Sequence, residues 1–405
     1  MTDLRAAYES VLYQSFPREA TSPDRLAAVA TLFGLDRPDP ETPRVLEVGC
    51  SDAGNLIHHA SATPHGTFLG IDFAESAIAA GQRRIAERGL GNITLQRLDI
   101  ADFPEDAGEF DYIIAHGVYS WVSAETRAAL LRLLQRHLSP TGVAYIDYNA
   151  QPGSHLRFAF RESMFFHVRQ FADPQQRIDQ ARSFLRLIIE ANPEGTLYRA
   201  LAERELRRLV RTPDDVVFHD DLSEYNDAFY FQDFIAAATQ HGLQYLAEAD
   251  VSTMNPARVP ESVRQRLAGI TRLVQLEQYL DILTHREFRQ TLLCRADRKI
   301  DRALDRATLE GLRFSSAAEI SSGKSEGELV FKAGTATVAT TNRLAQAALE
   351  TLKRHAGQRL SRAELAQEMQ SHPEHSTAAD LEADLRPVLL HCILSGLVEI
   401  HARPL

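Results

Sequence analysis

At 405 residues the chain exceeds one typical domain of about 150 residues, so two or three units with an ample core are expected. Hydrophobic residues make up 44% and charged ones 24%, as in ordinary globular proteins, and a net charge of −11 disfavours general attraction to nucleic acid or to an anionic membrane. Three widely separated cysteines, Cys50, Cys294 and Cys392, exclude a disulfide framework and a C-x-x-C metal site.

The opening stretch, "MTDLRAAYESVLYQ", carries Asp3 and Glu9 and lacks the apolar core of a secretory signal. No apolar run approaches the ~18 residues of a membrane helix, so a cytoplasmic protein without membrane insertion is expected. Tyr8 and Tyr13 in this stretch are candidates for a lid. From Arg44 to Asn149 strand-like runs ("RVLEV", "TFLGID", "NITLQRLD", "FDYIIAH", "GVAYIDYN") alternate with helical periodicity. That alternation predicts βαβ units, a parallel sheet and helices on both faces. Residues 153 to 212 read as helix throughout. "LQYLAEAD" and "REFRQTLLCRAD" then supply the last two strands of the same sheet, so the helical stretch is an insertion. After Lys299 come two strand-like pieces, three helical stretches and a terminal strand. The expected units are therefore 1–152, the helical insertion 153–216, the rest of the sheet 217–299, and the closing unit 300–405.

In such sheets the ligand lies at the carboxyl ends of the strands, near the point where strand order reverses, and "RVLEVGCSDAGN" is the first strand and turn at that point. Gly49, Ser51 and Gly54 form a degraded dinucleotide fingerprint, with Asp72 at the spacing of a ribose-binding acid. A dinucleotide would lay its pyrophosphate on this turn. Glu47 would repel it. S-adenosylmethionine carries a sulfonium and an ammonium and no phosphate, so an acid there becomes an attraction. Asp72 at the end of the second strand can accept from both ribose hydroxyls, and Asp99 after the third from the adenine amino group, with Ile100 packing on the ring. Each acid could alternatively cap the helix that follows it.

Glu47-x-Gly49, Asp72 and Asp99 resemble the class I S-adenosylmethionine-dependent methyltransferases. "HGVYSWVSAETRAALLRLLQRHLSPTGVAYIDYN", "YFQDFIAAATQHGLQYLAEAD" and "QYLDILTHREFRQTLLCR" narrow the likeness to bacterial members with a methyltransferase regulatory domain, similar to rickettsial protein lysine methyltransferases. The resemblance implies a seven-stranded Rossmann-like α/β sheet with a helical insertion and a closing unit like a winged helix. It implies cofactor-binding roles for Glu47, Gly49, Cys50, Ser51, Asn55, Asp72, Phe73, Asp99, Ile100 and His116. Two departures stand out: Ser51 and Ala53 replace glycines of the usual E-x-G-x-G-x-G turn, and "YNAQPGSH" replaces the common "YNTLPGW".

Methyl transfer is an in-line displacement, so the acceptor should be lined by the ends of strands four and five. Tyr119, Tyr148 and Asn149 are the catalytic candidates there, and Trp121 is expected in the core. Arg204, Arg207, Arg208 and Arg211 recur at helical spacing as a basic stripe. It reads first as solvated surface and second as a dock for an acidic protein or for the partner subunit of a homodimer. The closing unit from Thr341 holds seven Lys/Arg against eight Asp/Glu, too few positive charges for a DNA-reading wing, so it is expected to bind protein and not nucleic acid. No H-E-x-x-H or G-K-[ST] motif is present, and no metal is expected. Three readings follow: transfer of methyl to a protein lysine, transfer to a small molecule of secondary metabolism, or binding of S-adenosylmethionine by a regulator without turnover.

Overall fold

The computed structural model describes residues 9–304, 309–370 and 378–404. Tyr8 lies outside them. Helix α1 (Pro23–Leu32) begins under a Ser22 cap, whose hydroxyl accepts from the Arg25 amide, and is apolar on nearly every face because it is buried on every face. The alternating region follows as β1 (Arg44–Val48), α2 (Gly54–Ala62), β2 (Thr67–Asp72), α3 (Glu75–Arg88), β3 (Ile93–Arg97), β4 (Phe110–Ala115), α4 (Ala124–His137) and β5 (Leu138–Ala150).

Helices α5 (His155–Val168), α6 (Pro174–Ala191) and α7 (Leu197–Arg211) form the insertion. Its own core runs from Phe160 and Met164 to Val217, Phe218 and Leu222, past the expected limit at residue 216. The chain then re-enters the sheet through β6 (Ala228–Phe229), α8 (Phe231–Gln240), β7 (Leu243–Glu248), α9 (Glu261–Leu267), α10 (Leu273–Thr284) and β8 (Phe288–Arg295).

Strand order is β3-β2-β1-β4-β5-β8-β7, with β6 beside the end of β5. Pairing is parallel from β3 to β5, and β8 alone runs against its neighbours β5 and β7. The last two strands therefore join the sheet across the insertion, as expected. Strand order reverses between β1 and β4, which opens a crevice at their carboxyl ends.

The closing unit packs its core on α1. Its strands are β9 (Arg313–Ser315), β10 (Glu319–Ser322), β11 (Leu329–Ala333), β12 (Ala336–Thr340), β13 (Leu360–Ser361) and β14 (Glu399–His401). Its helices are α11 (Arg343–Arg354), α12 (Arg362–Gln370) and α13 (Ala378–Leu394). One piece expected as a single strand, "ELVFKAGTATV", is a hairpin of β11 and β12 that turns at Gly334, which takes φ +55°. Asp24 at the start of α1 accepts from the amides of Ala402 and Arg403 and ties the end of the chain to the core. Among the described residues no helix is long and apolar enough to cross a membrane.

Candidate active site

The turn after β1 is held open by its own backbone. The amides of Gly49 and Cys50 both donate to the Ile71 carbonyl, and the Ser51 amide donates to Asp72 Oδ2 at 2.9 Å. Gly49, Ser51 and Ala53 all take left-handed φ, at +69°, +49° and +56°. The two departures from glycine thus fall where an L side chain is strained, at about 1–2 kcal/mol each. A Cβ on Gly49 would stand 2.7 Å from Val118, and one on Gly54 would stand 2.0 Å from the Ser15 carbonyl. Both glycines are required by close approach.

That second approach comes from residues 11–18, which pass over the turn. Ser51 Oγ donates to the Tyr13 carbonyl at 2.5 Å, Ser15 donates to Asp52, and the Val11 carbonyl meets His219 Nε2 at 2.7 Å. The segment straps the β1 turn to the end of the insertion and brings Tyr13 over a cavity of about 320 Å³ at the carboxyl ends of the strands. Such a volume lies in the range of small-molecule sites, about 300–1,000 Å³.

The wall is built element by element. Gly49 and Ser51 come from the β1 turn, Asp72 and Phe73 from the end of β2, Asp99 and Ile100 from the end of β3, and His116, Gly117, Val118 and Trp121 from the loop after β4. Ser123 and Thr126 come from the start of α4, and Asp220 and Tyr225 from the link between insertion and sheet. Three of these residues are acids, and among the described lining residues none is Lys or Arg. The site is hostile to phosphate and suited to cations.

Burial pushes the Asp72 carboxyl upward, and each of its oxygens accepts one amide, from Ser51 and from Ala74. Asp99 accepts from the Ala101 amide as the cap of a short turn. Behind the turn Glu47 is buried, and its acid is raised to about 7, mainly by loss of water. Its Oε1 accepts from Asn55 at 2.8 Å, while its Oε2 has no hydrogen-bond partner among the described residues. His116 Nδ1 pairs with Asp147, whose other oxygen accepts the Gly117 amide at 2.7 Å. Burial opposes a charged imidazole, but the Asp147 carboxylate outweighs it and holds the His116 pKa above the usual value.

Comparison with known proteins agrees with this geometry. A family model described as a methyltransferase domain matches residues 45–142, and one described as a predicted methyltransferase regulatory domain matches residues 213–295. An uncharacterized protein of Rickettsia prowazekii is 35% identical over 243 residues, covering 60% of this chain and 97% of that one. This chain belongs to the S-adenosylmethionine-dependent methyltransferases that carry a methyltransferase regulatory domain. A second Rickettsia prowazekii protein is 38% identical over 74% of the chain, which spans 54% of that longer relative. The solved structure of PKMT2 from Rickettsia typhi in complex with AdoHcy is 29% identical, with a TM-score of 0.85 over 97% of this chain and 78% of that one.

The residues present fit the methyltransferase cofactor. Two strand-end carboxylates, Asp72 and Asp99, face the cavity beside Ile100, and the turn lacks any cation that would favour phosphate. The unpartnered Oε2 of Glu47 leaves a buried acid behind the turn for a positive group.

Several expected residues stand elsewhere. Of the ten cofactor candidates, Gly49, Ser51, Asp72, Phe73, Asp99, Ile100 and His116 line the cavity, whereas Glu47, Cys50 and Asn55 do not. Cys50 packs in the core with a thiol pushed upward by burial. Asn55 is a brace: it donates to Glu47 and Thr21 and accepts from the Arg18 amide.

The catalytic candidates fare worse. Tyr148 is fully buried against Phe234, its hydroxyl 3.2 Å from Thr291 Oγ1. Tyr119 packs on the same ring edge to face, and Asn149 donates to Asn226. None of the three lines the cavity. Trp121, expected in the core, does. Strand parity explains Tyr148: Ala144, Ile146 and Tyr148 share one face of β5 with α4 and α8, while Asp147 projects from the other toward His116. Asp147, Asp220 and Tyr225 were missed. Alternation along β5 could have found Asp147, but nothing local separates Asp220 from its acidic neighbours.

The basic stripe also divides. Arg208 turns inward to Glu205 and the buried Asp221, and Arg204 pairs with Glu287, so no continuous cationic face exists on α7.

Proposed function

We propose that the protein transfers a methyl group from S-adenosylmethionine to the side-chain amine of a lysine in another protein. The observation that carries this reading is the likeness of nearly the whole chain, insertion and closing unit included, to PKMT2, a protein lysine methyltransferase. The acid-lined, aromatic cavity supports it, because an amine arrives as an ammonium ion.

When bound, the cofactor supplies a methyl carbon on a positively charged sulfur, an activated electrophile that needs little further catalysis. The chain's task is then to hold, align and dry the reactants. In this reading Asp72 and Asp99 bind the nucleoside hydroxyls and amino group, with Ile100 and Phe73 against the ring. Glu47 and the paired His116 set the potential behind the β1 turn, and Asp147 keeps the imidazole oriented. Tyr13 and the strap over the turn exclude water. The turn's strained Ser51 is secured by its hydrogen bond to the strap, which couples closure to the turn's conformation.

Incubation with radiolabelled S-adenosylmethionine and a cell lysate, followed by separation by size, tests the proposal. Label is expected in protein bands, lost on treatment with protease. Label in small molecules alone would transfer the assignment to the second reading, and a protein that binds S-adenosylhomocysteine but labels nothing would be the regulator.

A further inference from the structure

The turn that joins the insertion to the sheet, Val217–Asp221, is π-helical, and it places two adjacent acids in opposite settings. Asp221 is fully buried and takes both nearby arginines, Arg157 at 2.8 Å and Arg208 at 2.6 Å. Asp220 faces the cavity instead. Among the described residues its carboxylate has no hydrogen-bond donor and no Lys or Arg in ion-pair contact. Tyr13, Tyr225 and Trp121 line the same cavity.

A half-buried carboxylate that faces a cavity without a counter-ion, in a wall that also holds aromatic rings, is a receptor for a cation. The strand-end acids Asp72 and Asp99 account for the nucleoside of the cofactor in the reading above. Asp220 comes from a segment that closes the cavity, as do Tyr225 and Tyr13, and is left for the second reactant. We propose that Asp220 is a catalytic residue on the acceptor side: it binds the ammonium of the incoming lysine and takes its proton. The inference rests on the lysine reading.

In the step it performs, one N–H bond of the ammonium breaks and the proton passes to a carboxylate oxygen of Asp220, leaving a neutral amine. The amine lone pair then forms the N–C bond to the methyl of S-adenosylmethionine as the C–S bond breaks. That electron pair returns to sulfur, giving a thioether and a methylammonium. The groups around Asp220 suit this role. Burial and the neighbouring Asp221 raise its acid to about 7, while Arg157 of α5, His116 after β4 and Arg208 of α7 pull it back. An acceptor near 7 is better matched to an ammonium than an ordinary carboxylate is.

Calorimetry of n-butylammonium with the S-adenosylhomocysteine-loaded full chain tests the site without an identified protein substrate. Wild type should bind the amine more tightly as pH rises through about 7, as Asp220 ionises. Asp220→Asn should lose at least tenfold in amine affinity, together with that pH dependence, and Asp220→Glu should retain both. Affinity for S-adenosylhomocysteine should change less than twofold in both variants, which also certifies the fold. Equal amine binding by wild type and Asp220→Asn would overturn the proposal. So would a tenfold loss of S-adenosylhomocysteine affinity in Asp220→Asn, since the acid would then serve the cofactor. Amine binding that depends on Asp220 in a protein that labels no lysate polypeptide would uphold the cation site and remove the lysine reading.

Discussion

Around Arg289 and around the cavity the protein gathers two groups of three acids, and it treats them in opposite ways. Arg289 is fully buried, its guanidinium 3.7 Å from the centre of the Phe231 ring. It donates to Glu248 at 2.6 Å, to Asp281 at 2.8 Å and to Glu277 at 2.9 Å, with Arg286 also paired to Asp281. Two arginines against three acids leave one excess negative charge, and burial raises Glu277 to about 7. Asp220 in the cavity is raised to the same value, also by burial. A perturbed acidity therefore does not distinguish the two places. Partnership does. The acids of β7 and α10 have their cations within the fold, chiefly Arg289 of β8, whereas Asp220 waits for one from outside.

The sharpest way to break this comparison is to remove the internal cation. Arg289→Met should lower stability by about 3–5 kcal/mol in urea unfolding, because three carboxylates lose their partner in a dry site. Glu277 and Asp281, already raised, should rise further. A group whose folded pKa exceeds its unfolded value is stabilising below the unfolded value and loses that contribution as pH rises. The variant should thus be least deficient near pH 4.3, the unfolded value of a glutamate, and worst above about pH 7. A pH-independent loss would mean that the cluster acts through packing and not through charge.

On the cavity side, Asp72→Ala should weaken S-adenosylhomocysteine binding by about 1.5–3 kcal/mol, roughly 10- to 150-fold by calorimetry, since ribose hydroxyls would lose a charged acceptor. Its hydrogen bond to the Ala74 amide also goes, so a stability loss of about 1 kcal/mol should accompany it. An unaltered dissociation constant in a folded variant would reduce Asp72 to that capping role and empty the cavity half of the comparison.

Tyr148 lies beside the Arg289 cluster and gives the smallest effect. Its hydroxyl meets Thr291 Oγ1, which in turn donates to Glu248 of the Arg289 cluster. Tyr148→Phe should cost about 1 kcal/mol of stability and leave turnover on labelled lysate proteins unchanged. A tenfold fall in turnover at undiminished stability would return Tyr148 to the chemistry.

How far these roles were legible differs by residue. Asp72 and Asp99 could be found because a strand end is a local signal, and local signals survive folding. Ser51 and Ala53 were legible as departures, although their left-handed backbone was not. Tyr148 was misplaced because its residue type suits a methyl-transfer pocket while its parity on β5 directs it into the core. Arg289 gave no warning, as an arginine in an alternating strand reads as the solvent-facing position until both faces of that strand are covered.

The sequence by itself determined the βαβ alternation, the seven-stranded sheet, the strand-end acids Asp72 and Asp99 and the place of the insertion. Periodicity, turn chemistry and charge act over a few residues, and that range is enough for each of them. The tertiary structure decided which side chains meet. Only when the insertion folds back do Asp220 and Tyr225 reach a cavity whose first wall, at Gly49, lies about 170 residues earlier in the chain. Only when Asp221 claims Arg157 and Arg208 does its neighbour remain without a cation. Such choices depend on competition among distant charges for the same few partners, and no local window of sequence contains all the competitors.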